Sequence, residues 1–185
     1  MITTVVVGNP KPASHTLEAA TVLAERITGS APDEVVDVIT LGAGLLGWGD
    51  PGVQAVVETV AGSDLVVVAS PTFKATYTGV LKLFLDQFAT GEGLAGVTAV
   101  PLMLGAGPAH HMAPDVFLKP VLVELGATTP TQGLYLNDKH YGDPSSTATW
   151  LDRWRDVVLA SAAHSASPAL GTVTTPAPIQ EGSNA

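Results

Sequence analysis

The chain has no cysteine, which excludes disulfides and thiolate-bound metals and is compatible with a reducing compartment. It is also short of positive charge, with 8 Lys and Arg against 17 Asp and Glu and a formal net charge of −9. Those few cations are scattered, so no basic patch forms to attract phosphate backbones, and nucleic acid is not an expected partner. No apolar run approaches the roughly 20 residues that span a bilayer, so no membrane association is expected. Met1-Ile2-Thr3-Thr4 carries no basic leader region and passes directly into a strand pattern, from which a cytoplasmic location is expected.

What is present is a well-cored α/β chain. At 185 residues, 46% hydrophobic and with 19 Gly, it has the length of one domain. Non-alternating apolar runs at residues 3–7, 65–69 and 98–104 read as strands buried on both faces. Residues 34–39 and 131–136 read as two more, and Asp37 places the former at an edge. Pro101 falls inside a run, where a central ladder position requires a bulge or a missing bond. Between the strands, apolar residues recur at helical spacing: Leu17, Ala20, Ala24 and Ile27; Val53, Val56, Val57 and Val60 behind the start signal Asp50-Pro51; Val80, Leu81, Phe84, Leu85 and Phe88. Residues 109–125 read as a helix broken at Pro114 and Pro120 and closed by Gly126, and Ser145 opens the last helix. Strand and helix alternate five times, which implies a parallel sheet with right-handed crossovers. Residues 1–164 form the expected domain. Residues 165–185, with three Pro, three Ser and one charge, read as a mobile tail.

Three loops after strands lack bulky walls. Gly8-Asn9-Pro10-Lys11-Pro12-Ala13-Ser14-His15-Thr16 leads into a helix that Ser14 or Thr16 can cap. Free N–H groups there, with Lys11, suit an anion, and a plain Pro-stiffened turn with a capped helix fits the residues equally well. Residues 71–79 and 105–109 follow the third and fourth strands. In the strand order 2-1-3-4-5 these three loops meet at the topological switch point, where such sheets bind ligands. An anion at the first loop and a flat ring against the other two would then belong to one molecule.

Three motifs carry a resemblance that extends from residue 3 to about residue 154. Gly8-Asn9-Pro10-Lys11 with Ser14-His15-Thr16 is similar to a GSPR-x-x-S-x-(S/T) phosphate loop. Ser70-Pro71-Thr72-Phe73-Lys74-Ala75, then Tyr77-Thr78-Gly79-Val80-Leu81-Lys82 and Leu85-Asp86, is similar to P-x-Y-x-x-x-Y-(S/T)-G-x-L-K-x-x-L-D. Gly105-Ala106-Gly107 with Ala109-His110, and Leu118-Lys119-Pro120-Val121-Leu122 downstream, is similar to GG(S/T)…AH…LKPVL. Together they resemble the NADPH-dependent FMN reductase family, and within it the small reductases that serve alkanesulfonate-type monooxygenases.

The resemblance implies a flavodoxin-like three-layer doubly wound sandwich with a five-stranded parallel sheet. It implies FMN as cofactor, NADPH or NADH as hydride donor, and a monooxygenase as partner. The FMN phosphate would meet Lys11, Ser14 and Thr16, beside Asn9. Pro71, Thr72 and Phe73 would hold the isoalloxazine and ribityl side, with Lys74 near the phosphate or in solvent. Gly105, Ala106 and Gly107 would face the pyrimidine edge, with His110 close by. Asn9 stands for Ser, Lys11 for Arg and Phe73 for Tyr; the Lys keeps the charge and loses the bidentate fork. Asp115-Val116-Phe117-Leu118 replaces a segment that carries an inserted Tyr in the alkanesulfonate-linked branch.

No side chain is expected to do covalent or acid–base work, because the flavin ring itself supplies the reactivity. His110 and His111 are adjacent and face different ways on a helix, so no metal site is expected. Trp150 and Trp154 read as packing or interface residues. The helix around Val80–Leu85 leaves little polar face, which implies a homodimer or homotetramer that covers it. A quinone- or azo-type reductase with bound FMN, or a non-catalytic flavodoxin-like electron carrier, are the competing functions.

Overall fold

A computed structural model describes residues 1–165, so the expected tail, apart from Ser165, lies outside the described residues. The elements run β1 (Thr3–Val7), α1 (His15–Thr28), β2 (Glu34–Asp37), α2 (Pro51–Ala61), β3 (Leu65–Pro71), α3 (Gly79–Leu85), β4 (Thr98–Gly105), α4 (Lys119–Glu124), β5 (Leu134–Asn137) and α5 (Ser145–Ser165). The five strands are all parallel in the order β2-β1-β3-β4-β5. This is the expected flavodoxin-like sandwich.

The period of two along the strands splits the core into two layers. Val6, Val66, Val68 and Met103 face α2, α3 and α4, meeting Val53, Val60, Leu81, Phe84 and Leu122. Val5, Val7, Val67, Leu102 and Leu104 face α1 and α5, meeting Leu23, Ile27, Val158 and Trp150. Every residue of β1 and of β4 is buried, which is why neither run alternates in sequence. Trp150 and Trp154 pack into this second layer, and the Trp150 Nε1–H donates to the Gln132 carbonyl at 2.9 Å. Among the described residues no helix is long and apolar enough to cross a membrane.

Both prolines within the sheet sit where a missing N–H leaves no ladder bond unmade. Ala99 N–H donates towards Thr128, so by alternation position 101 faces the same side; β5 begins pairing with β4 only at Leu102. The apolar run at 65–69 and the missing N–H of Pro71 predict a strand that ends at Ser70-Pro71, but these residues do not stop β3. The strand continues to Pro71, which pairs with Leu104, because β1 has already ended at Val7 on the side its missing N–H would face.

Other boundaries shift for local reasons. β2 ends at Asp37, and residues 38–46 wind into 3-10 turns kinked at Gly42, whose φ is 59°. β5 starts at Leu134 rather than at residue 131. The expected helix at 109–125 is three pieces: a 3-10 turn at Pro108–His110, a π-wound turn at Pro114–Leu118, and α4. Each proline opens a new piece, since it cannot donate to the turn before it.

α3 is short, and it is not apolar all round. Leu81, Phe84 and Leu85 are buried, while Lys82 and Asp86 pair on the outer side. The exposed apolar surface lies elsewhere on that layer: Leu46 (77% exposed) and Trp48 (76%) beside Leu83, and Met112, Val116, Phe117 and Val123 around the π turn and α4.

Candidate functional site

The first, third and fourth strands deliver their following loops to one rim of the sheet. After β1 the chain must leave the sheet against α3. A Cβ on Gly8 would lie 2.2 Å from the Leu81 Cβ, so only glycine fits. Asn9 then organises the loop: its Oδ1 accepts from Lys11 N–H at 2.9 Å, and its Nδ2 donates to Thr16 Oγ1 at 3.0 Å. Ala13 has a φ of 50°, and its N–H is held at 2.9 Å by Asp37 Oδ2 from the end of β2.

Ser14, not Thr16, is the N-cap of α1, with Oγ accepting from Leu17 N–H at 3.3 Å. His15 and Thr16 N–H groups donate to nothing among the described residues, as expected of a helix's first turn. They and the helix dipole offer partial positive charge beside the exposed Lys11 side chain.

The loop after β3 is tied back to the first. Ser70 Oγ accepts from Thr78 N–H at 3.0 Å, and Thr78 Oγ1 donates to the Gly8 carbonyl at 2.6 Å while capping α3. Between them Phe73 and Thr76 exchange backbone hydrogen bonds across a two-residue turn. Lys74 and Ala75 occupy that turn with φ of 52° and 73°, the pattern that usually recruits Gly or Asn. The turn lifts Phe73 out to 52% exposure.

Asn9, Lys11, Ser14, Thr16, Pro71, Thr72, Phe73, Gly105 and Ala106 line one groove of about 420 Å³, joined by His15 and Asp138. Gly107 and His110 line an adjoining cavity of about 680 Å³ with His111 and Tyr135, and the two spaces share Thr72, Gly105 and Ala106 as walls. Lys74 lines neither, because the tight turn carries it past the rim.

Residues from β5 and just beyond it complete the site and were not singled out from the sequence. Tyr135 Oη donates to the Gly107 carbonyl at 2.8 Å, Asn137 Nδ2 to the Ala106 carbonyl at 3.2 Å, and Asp138 N–H to the Gly105 carbonyl at 3.0 Å. Burial lifts the Tyr135 phenol above its ordinary value; the nearby Thr72 hydroxyl draws it back in part, and the Asp138 carboxylate adds to the rise. That Thr72 hydroxyl nevertheless lacks the geometry of a hydrogen bond. Thr72 Oγ1 and Asp138 Oδ1 are both buried without a partner among the described residues. A buried donor or acceptor left unpaired costs about 1–3 kcal/mol, which a bound molecule can recover. The groove and the cavity beside it therefore suit a ligand with an anionic end at α1, hydroxyl or N–H groups for Asp138, and a flat edge against residues 105–107.

A family model described as NADPH-dependent FMN reductase matches residues 1–142. An FMN reductase (NADPH) of Pseudomonas putida is 38% identical over 88 residues, 48% of this chain and 44% of that protein. An FMN reductase (NADPH) of Escherichia coli K12 is 36% identical over 93 residues, 50% of this chain and 48% of that protein. The chain thus aligns with about half the length of the curated relatives it matches. The apo form of an NADH:FMN oxidoreductase superposes with a TM-score of 0.75 at 25% identity, covering 89% of this chain and 90% of the other.

Proposed function

Because the chain belongs to the NADPH-dependent FMN reductase family, we propose that it is an NAD(P)H-dependent FMN reductase working in the groove between α1 and the loop after β4. The observation that carries this reading is the convergence, along one groove, of an unengaged helix N-terminus, two polar atoms without partners among the described residues, and Gly105, where Tyr135 leaves no room for a Cβ. Those features fit FMN from end to end.

The phosphate would take the His15 and Thr16 N–H groups, the Ser14 and Thr16 hydroxyls and the Lys11 ammonium. Asn9 holds that loop in shape rather than reaching the ligand. Pro71, Thr72 and Phe73 would flank the ring and ribityl chain, Thr72 Oγ1 and Asp138 Oδ1 gaining the partners they lack. Gly105, Ala106 and Gly107 would bring backbone to the pyrimidine edge, with His110 at the outer lip. Lys74 is left as a solvated loop charge. Bound FMN supplies the ring that accepts hydride from the nicotinamide. The protein's part is to hold both rings close, exclude water, and aim N–H dipoles where negative charge develops.

The cavity of about 680 Å³ beside the groove leaves room for the nicotinamide, and delivery of reduced FMN to a partner monooxygenase is the further part of this proposal. The exposed apolar residues around Trp48 and Phe117 support a homodimer or homotetramer; light scattering after size exclusion should report one of these masses, and a clean monomer contradicts it. A cytoplasmic location accords with the absence of cysteine.

The direct test is NADPH and NADH oxidation by the purified protein with and without added FMN. Turnover that depends on FMN, supplied or copurified, is expected. Oxidation that ignores FMN, or none in its presence, overturns the proposal.

A further inference from the structure

Three successive carbonyls, of the last residue of β4 and the two that follow it, are all taken by groups from β5 and the residue following it. Gly105 O accepts from Asp138 N–H, Ala106 O from Asn137 Nδ2 and Gly107 O from Tyr135 Oη. A trans peptide is planar with its C=O and N–H opposed. Holding the Gly105 and Ala106 carbonyls towards β5 therefore turns the Ala106 and Gly107 N–H groups away from it, where Ala106 borders both the groove and the adjoining cavity and Gly107 borders the cavity. Neither N–H donates to anything among the described residues. The next residue is Pro108, so no third N–H competes.

The holding groups are themselves fixed. Asn137 Oδ1 accepts from Lys139 N–H at 2.9 Å, which settles the orientation of its amide. Tyr135 stands against Gly105, where a Cβ would come within 2.0 Å of its hydroxyl. Its phenol, raised by burial, remains protonated and a donor at neutral pH.

We propose that Tyr135 and Asn137 are positioning residues that fix the loop at residues 105–107 so that the Ala106 and Gly107 N–H groups form a donor pair for the anionic edge of reduced FMN. This rests on the FMN site proposed above. The pair is pre-set before ligand arrives and interacts more strongly with the reduced ring, whose pyrimidine edge is the more negative. The two side chains thereby act on the redox balance of the cofactor through the backbone that they hold.

The test uses Tyr135→Phe and Asn137→Ala in the full chain, with FMN titrated in its oxidised and reduced forms and the midpoint potential of the bound cofactor measured. Circular dichroism confirms that each variant folds, and Tyr135→Phe, which removes one oxygen, keeps the test usable should Asn137→Ala unfold. Each variant should lose affinity for reduced FMN about tenfold more than for oxidised FMN, which lowers the midpoint potential by about 30 mV. Equal weakening of both forms shows a merely structural role and overturns the proposal, as does an unchanged potential. A wild-type protein that binds FMN with unaltered variants sinks this inference alone; a wild-type protein that binds no FMN sinks the site itself.

Discussion

Gly105→Ala tests the packing of the rim most sharply. The added methyl carbon would lie 2.0 Å from Tyr135 Oη, 2.9 Å from its Cζ and 3.4 Å from Thr72 Oγ1. Ordinary contact needs well over 3 Å, so the phenol must swing by more than an ångström and give up its 2.8 Å bond to the Gly107 carbonyl. Overpacking of this kind costs about 1–3 kcal/mol. The lost hydrogen bond adds about 1 kcal/mol, and alanine's stiffer unfolded chain returns about 0.4–1 kcal/mol. The expected net destabilisation is about 1–3 kcal/mol, or several degrees in Tm for a domain of this size.

Adding Tyr135→Phe removes the nearest atom and leaves only the 2.9 Å contact, which a shift of a few tenths of an ångström relieves. Urea denaturation of the wild type, the two single variants and the double variant closes a cycle. The double variant should be more stable than the summed single effects by at least about 1 kcal/mol. Additivity within about 0.5 kcal/mol would mean that the phenol does not stand over Gly105.

Ala75→Gly should stabilise the protein by up to about 1 kcal/mol. It relieves about 1–2 kcal/mol of left-handed strain at φ 73° against an unfolded-state cost below about 1 kcal/mol, and thermal melts read the difference. Ser14→Asp should leave α1 capped, since Asp caps as well as Ser, yet weaken FMN at least about tenfold by setting a carboxylate against the phosphate; fluorescence titration with unchanged affinity contradicts the anion site. Phe84→Ala, at a fully buried ring packed edge-on against Phe88, should cost about 3–5 kcal/mol in chemical denaturation. Ser145 N–H and Oγ, donating to the Asp143 carboxylate at the start of α5, hold its pKa below the ordinary value. That contribution is present above the unfolded carboxylate value and lost as pH falls through the depressed folded one, so Asp143→Asn should flatten the acid limb of stability against pH.

The architecture was legible because parallel strands buried on both faces write themselves as unbroken apolar runs, as residues 65–69 do. The caps Asp50 and Thr78 act through short-range chemistry, and the start signal Asp50-Pro51 announces the first of them. Neither proline's partner side could be read from its position: Pro71 and Pro101 are acceptable only because a neighbouring strand has ended or not yet begun there. Lys74-Ala75 carries no glycine or asparagine to announce a turn with two positive φ values.

Tyr135 and Asn137 were missed although a signal existed. Leu134, Tyr135, Leu136 and Asn137 alternate, and the two leucines are buried, so the polar pair shares the opposite face of the strand that flanks residues 102–105. What local pattern could not supply was the loop's own carbonyls turning to meet them.

The measurement that bears most directly on the site is a crystal structure of the protein grown with FMN. Phosphate density within hydrogen-bond reach of Ser14, His15 N–H and Thr16, with the ring edge against the Ala106 and Gly107 N–H groups, is the expected result. Flavin density in a separate groove between α3 and α4, lined by Lys82, Leu85, Val121 and Glu124, or on the exposed face around Trp48, would contradict it.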